Sequence, residues 1–129
     1  MADEPKSDLT KTLEELREAW RPIFDEQRRI EAAECPARLE KLAAMGVSIA
    51  SAGGNCPVQI EGKVDGEEFY FRARGDVWSL GIGGEPVGTP DWEIKEDYGT
   101  WPDAGWMALH EAYDFLIAGC ERWQKERKH

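Results

Sequence analysis

The chain has 129 residues, 41% of them apolar and 33% charged, and a formal net charge of −10. That length suits one domain, residues 1–129, with a real core. The carboxylate excess argues against duplex DNA, RNA or an anionic membrane surface as the main ligand, because Lys and Arg bind those by neutralising phosphates. It fits solubility, a basic partner, or mimicry of a nucleic-acid surface.

Residues 1–7 are polar, lack the apolar segment of a secretory signal, and read as a loose tail. A helical segment is expected over 8–45. Leu9, Leu13, Leu16 and Trp20 recur at helical spacing and the pattern resumes with Ile23, Phe24, Gln27 and Ile30. Pro22 predicts a kink or break near Trp20–Arg21. Pro36 suits the first turn of a shorter second helix with Leu39, Leu42 and Met45 as its apolar face, closed by Gly46. Val47–Ala50 is a short edge strand or a connector, and Ser51–Asn55 a loop.

Residues 56–83 predict a three-stranded antiparallel meander. Asp65-Gly66 is a two-residue turn of type I′, which needs positive φ at both positions, and Gly75-Asp76 has the glycine-first pattern of type II′. Together the two turns align three apolar rows on one face: Val58–Ala73–Trp78, Ile60–Phe71–Leu80 and Gly62–Phe69–Ile82. A slip of one residue would turn them all to solvent. Gly83–Pro90 is loop-like, Trp92–Ile94 is a possible fourth short strand facing inward, and Asp97–Gly105 is rich in turns. A C-terminal helix is expected over 107–126, with Leu109, Ala112, Phe115, Leu116, Gly119, Cys120 and Trp123 as its stripe. The fold class is therefore α+β: three or four antiparallel strands on a C-terminal helix, with an N-terminal helical segment.

Two surfaces carry candidate binding chemistry. On the polar side of the meander Tyr70, Arg72 and Arg74 alternate along one strand and point the same way. Two guanidiniums beside a ring form a cradle for a phosphate or carboxylate. Alternatively, this is a solvated face of cross-strand charge pairs such as Lys63 opposite Glu68. The second surface is the segment 85–106, with six acids against the single Lys95, which holds half of the net charge. Its candidate contacts are Asp91, Glu93, Glu96, Asp97, Tyr98, Trp101 and Asp103. Tyr98 and Trp101, flanked by Gly and Pro, are expected at the surface, whereas Trp92 and Trp106 are expected to cap the core. Exposed aromatics inside an acidic rim suit docking on a basic site.

Catalytic patterns are thin. His110 is the only histidine before the C-terminal residue, HEAYD lacks the second histidine of a zinc helix, and there is no G-x-S-x-G elbow or P-loop lysine. Cys35, Cys56 and Cys120 show neither C-x-x-C spacing nor an even count, so free thiols in a reducing compartment are expected. No cofactor, metal site or membrane span is expected.

The run FYFRARG within PVQIEGKVDGEEFYFRARGDVWSLGIGG, with AGWM before the last helix, resembles a small family of uncharacterised bacterial and bacteriophage proteins. The likeness covers residues 56–107 and implies a phage or prophage context with no known activity. The expectation is a non-enzymatic acidic binding protein in the bacterial host's cytoplasm. It would dock on a basic protein or on the nucleic-acid channel of a host defence nuclease, as an anti-CRISPR-like inhibitor does. An anionic-ligand or nucleotide binder using Tyr70, Arg72 and Arg74 is the alternative, and a homodimer through residues 8–45 remains open.

Overall fold

The computed structural model describes residues 4–127, with side chains from residue 13. The chain divides into two units, Met1–Ala33 and Glu34–His129. One helix, α1 (Glu4–Ala44), passes through the boundary between them. Five strands follow: β1 (Val47–Gly53), β2 (Val58–Val64), β3 (Glu67–Arg74), β4 (Val77–Glu85) and β5 (Thr89–Asp97). A short 3₁₀ turn, η1 (Asp103–Trp106), precedes the final helix α2 (Leu109–Arg127). No helix among the described residues is long and apolar enough to cross a membrane.

The sheet is a five-stranded antiparallel meander in the order β1-β2-β3-β4-β5. Both turns form as expected. Asp65 and Gly66 have φ of 51° and 86°, and Gly75 has φ of 67°. Each apolar row holds its register, with Ile60 opposite Phe71 and Phe71 opposite Leu80. The side chains of Ile60, Phe71, Leu80 and Ile82 are sealed from solvent. Against them α2 lays Ala112, Leu116, Gly119, Cys120 and Trp123, the expected stripe, widened by Tyr113 and Ile117. Phe71, Trp78 and Phe115 stack in sequence, with centroid separations of 5.6 and 4.9 Å.

The sheet is wider than the three or four strands expected. β1 runs through Gly53 and absorbs most of the presumed loop Ser51–Asn55, with a register shift between Ile49 and Ser51. β5 pairs with β4 from Val77↔Asp97 to Glu85↔Thr89. Both are edge strands with few buried side chains, so periodicity marks them weakly. Pro90 is tolerated because an edge strand leaves one row of amides unpaired.

Neither Pro22 nor Pro36 interrupts α1, and the helix runs continuously from Glu4, inside the expected tail; Met1–Asp3 lie outside the described residues. The two prolines are fourteen positions apart, close to four helical turns, and therefore share one side of the helix. Both are exposed, as are Glu18 and Ala32, whose carbonyls lose their helical donors to the prolines. Ion pairs Arg21–Glu18, Arg28–Asp25 and Arg29–Glu26 brace the same stretch. In the second unit, residues 34–44 of α1 bury Leu42 in the sheet's core, and Arg38 binds the Asp114 carboxylate of α2 at 2.8 and 3.2 Å.

Asp65 ties three elements together. Its amide donates to the Gly46 carbonyl at 3.0 Å, and its carboxylate accepts from Gln124 at 3.1 Å and Arg127 at 2.9 Å. Two glycines set close approaches elsewhere. A Cβ on Gly62 would strike the Ser48 carbonyl and lie 3.0 Å from the Ile49 Cα, whereas one on Gly119 would meet only the Leu80 Cδ2 tip at 2.6 Å. Backbone cannot rotate away as a side-chain tip can. Gly62→Ala is therefore expected to cost about 1–3 kcal/mol of unfolding free energy, and Gly119→Ala less. Urea unfolding of the two variants measures the order, and a reversed order would contradict this packing.

Candidate functional site

One end of the sheet gathers most of the exposed aromatic surface of the second unit. The β3–β4 turn, the start of β2 and the end of β5 all lie there, because Val58 pairs with Ala73, Arg74 with Val77 and Val77 with Asp97. The chain from β5 through η1 is strapped across this end by backbone hydrogen bonds. The Tyr98 amide donates to the Asp76 carbonyl at 2.7 Å, Ala104 to Gly75 at 2.9 Å and Cys56 to Gly105 at 2.7 Å. Ala104 and Gly105 are buried on the inner side of the strap. Any side chain at 105 would meet Cys56, whose Sγ lies 2.9 Å from the Cβ position.

On this strap Trp101 is 76% exposed and Trp106 is 60% exposed. One edge of the Trp101 indole rests on Gly75, with Cδ1 3.2 Å from where a Cβ would stand. The ring thus touches Gly75 through this part while most of the side chain stays in water. Asp76, Asp97 and Asp103 are exposed at the same end. Asp103 also has a structural duty: its Oδ2 accepts from the Thr100 amide at 3.0 Å and the Thr100 hydroxyl at 3.1 Å, closing the turn.

The seven acidic-segment candidates do not form one cluster. Asp97, Trp101 and Asp103 share the strapped end. Asp91 lies six residues back along β5, about 20 Å away in an extended strand, packed on Gly83 and Gly84. Glu93, opposite Gly81, belongs to the polar face, whereas Glu96, opposite Trp78, sits on the helix side at the edge.

Tyr98 and Trp106 exchange their expected roles. Tyr98 is half-buried, edge-on to Phe115 at 5.9 Å, rather than presented to solvent. Strand parity explains this, because Trp92 and Ile94 face α2 and two more steps of two bring Tyr98 to the same side. Trp106, expected in the core, ends a 3₁₀ turn whose small residues point inward. Trp92 does lean on the core, with its indole N–H donating to Glu126 at 2.8 Å.

The other candidate face is built as expected and is half covered. Tyr70 and Arg72 are partly buried, Arg74 is exposed, and no ion pair engages either arginine among the described residues. Arg72 Nε is buried without a hydrogen-bond partner. Gly81 does not leave the Tyr70 flank open: the Pro86 carbonyl lies 2.8 Å and Pro90 3.0 Å from its Cβ position. The β4–β5 loop thus walls a cleft of about 510 Å³ over Tyr70, Glu61, Lys63 and Glu68. With Glu85 on its lip, the cleft has more carboxylates than cations, and neither arginine lines it. Among the described residues no group of three or more His, Cys, Asp and Glu is placed to hold a metal ion.

No family model, curated protein or solved structure matches this chain.

Burial, reinforced by a hydrogen bond to Glu111, raises the Tyr98 phenol from 10.0 to about 12. Burial likewise raises the Cys120 thiol from 9.0 to about 12. In both cases the folded protein favours the protonated form, so the stabilisation is complete below the unfolded value and is lost as pH rises through the folded one. Urea midpoints are expected to hold to about pH 9 and fall between there and about pH 12. Tyr98→Phe should flatten the part of the fall above about pH 10. An equally steep fall in the variant would show that Tyr98 ionises freely.

Proposed function

We propose that this protein is a non-enzymatic binding protein that docks its strapped, acidic and aromatic end on a basic site of another macromolecule. The observation that carries this is the exposure of Trp101 and Trp106, at 76% and 60%, on a segment fixed by three backbone hydrogen bonds to the β3–β4 turn and to Cys56. Tryptophan is the residue most enriched at interface hot spots, and a rigid mount spares the entropy of ordering it on binding. At this end Asp76, Asp97 and Asp103 outnumber the exposed Arg74, and the net negative field steers a cationic partner and speeds encounter. With a formal charge of −10 the whole molecule reinforces that field. A nucleic-acid-binding channel is one such basic site, and a phage-encoded inhibitor of a host defence nuclease is the specific form this function takes.

An alternative function, binding of a small anion by Tyr70, Arg72 and Arg74, draws support from the unpartnered Arg72 Nε. The acidic lining of the adjoining cleft weighs against it. Saturating nucleotide at a hundred-fold excess over Kd would stabilise such a protein by about 2.7 kcal/mol, which a thermal-shift panel detects.

Affinity capture from a bacterial lysate, followed by titration of the captured protein, tests the docking function. Trp101→Ala and Trp106→Ala are each expected to cost about 2 kcal/mol or more of binding, roughly thirty-fold. Surface positions of this kind leave folding stability within about 0.5 kcal/mol. Asp76→Lys with Asp97→Lys should slow association and flatten its dependence on salt. Asp103 is unsuitable for this purpose, because it holds the turn at Thr100. Unchanged affinity in both tryptophan variants would refute docking at this end.

A further inference from the structure

Residues 13–33 of α1 contain no buried side chain, yet they carry a line of large apolar groups. Leu13, Leu16, Trp20, Ile23, Phe24 and Ile30 are 40–52% exposed. Five of these and Gln27 alternate in steps of three and four, 13, 16, 20, 23, 27, 30, with Gln27 the one polar member and Phe24 next to the line. This is the a/d pattern of a coiled-coil seam, with Leu13, Trp20 and Gln27 at a and Leu16, Ile23 and Ile30 at d. The seam is a single line spaced for knobs-into-holes contact with another helix, and a patch of this kind marks an interaction site.

We propose that a second copy of this chain covers the seam, its helix antiparallel to the first. Self-pairing satisfies the pattern in every layer. With the two-fold axis between Trp20 and Ile23, Leu13 faces the second copy's Ile30, Leu16 faces its Gln27, and Trp20 faces its Ile23. Each pairing occurs twice, as an isologous interface requires. The bulky indole meets a smaller aliphatic side chain instead of its own copy.

Charge selects the same orientation. In a parallel pair, position g of one helix neighbours the next e of the other. That would set Glu26 against the second copy's Glu31 on both sides of the seam and stack the two Trp20 rings in one layer. In the antiparallel pair Glu26 lies beside the second copy's Ala19, and Arg17 beside its Phe24, an aromatic ring that accepts a guanidinium. No like-charge contact arises. Gln27 weakens its layer, which is the usual cost of a polar group that fixes register. The interface uses only residues of the first unit and is independent of the strapped end of the sheet.

Sedimentation equilibrium of the 129-residue chain tests this. The expected result is a species of twice the 14.6 kDa chain mass at concentrations on the order of 100 µM or below. Ile23→Glu and Trp20→Glu should each return the protein to monomer, while Glu14→Lys, outside the seam, leaves the dimer intact. The near-ultraviolet signal of the Phe71–Trp78–Phe115 stack reports that the sheet stays folded in every variant. Glu26→Lys decides the orientation: a parallel dimer would tighten more than about five-fold on losing its like-charge contacts, whereas the antiparallel one stays within about two-fold. A monomer throughout that range, a dimer indifferent to both seam variants, or marked tightening by Glu26→Lys would each overturn the proposal.

Discussion

The parity of the sheet is the constraint on which the second unit depends. Asp65-Gly66 and Gly75-Asp76 are two-residue turns, and each fixes which residue of one strand lies opposite which residue of the next. With both set, Ile60, Phe71 and Leu80 share one face and Gln59, Arg72 and Ser79 the other. Only then does α2 have a continuous apolar surface to cover. Asp65 contributes a second time by receiving Gln124 and Arg127, so the turn that sets the register also anchors the end of α2. Arg127 completes that corner by stacking on Trp123 at 4.3 Å.

Once that face is committed to the core, the remaining surfaces differ in electrostatic character. The ion pairs of the second unit sit among its helices and the Asp65 turn, such as Arg38–Asp114 and Arg127–Asp65. The sheet's polar face mixes signs, with Lys63 opposite Glu68 and Lys95 opposite Ser79. The strapped end holds Asp76 and Asp97, in no ion pair among the described residues, together with two exposed indoles and the single exposed Arg74 of the β3–β4 turn. Paired charge is largely neutral to its surroundings, and scattered charge of both signs creates little directed field. Three carboxylates against one arginine at the same end as apolar rings do create one, and this physical distinction separates the candidate surface from the rest of the molecule.

The first unit follows a different logic. Its helix persists through Pro22 without burying a side chain between residues 13 and 33. Local terms account for part of this: many strong helix formers (Leu, Glu, Arg, Ala, Gln), and ion pairs at i,i+3. Such pairs contribute only a few tenths of a kcal/mol each, and an internal proline costs about 3 kcal/mol. Association along an apolar seam is the kind of contribution that makes up such a difference, since most helical stability comes from packing an amphipathic face.

By itself the sequence determined the meander, its register, its buried rows and the stripe of α2, because hairpin turns and side-chain periodicity are local and their constraints agree. It also marked Trp101, since Gly99, Thr100 and Pro102 cannot bury an indole within their own turn. Edge strands were less legible: β1 and β5 are held mainly by backbone hydrogen bonds, which every residue can make and no residue type announces. Tyr98 was readable from the parity of Trp92 and Ile94, but the neighbouring Gly99 masked it. Tertiary structure alone decided the rest. Trp106 faces water because Ala104 and Gly105 take the inner side of the strap, and a 3₁₀ turn has no long periodicity to reveal that. Tertiary structure likewise separated Asp91, Glu93, Glu96 and Asp97, which adjoin in sequence, because an extended strand sends alternate side chains to opposite faces and carries its ends far apart.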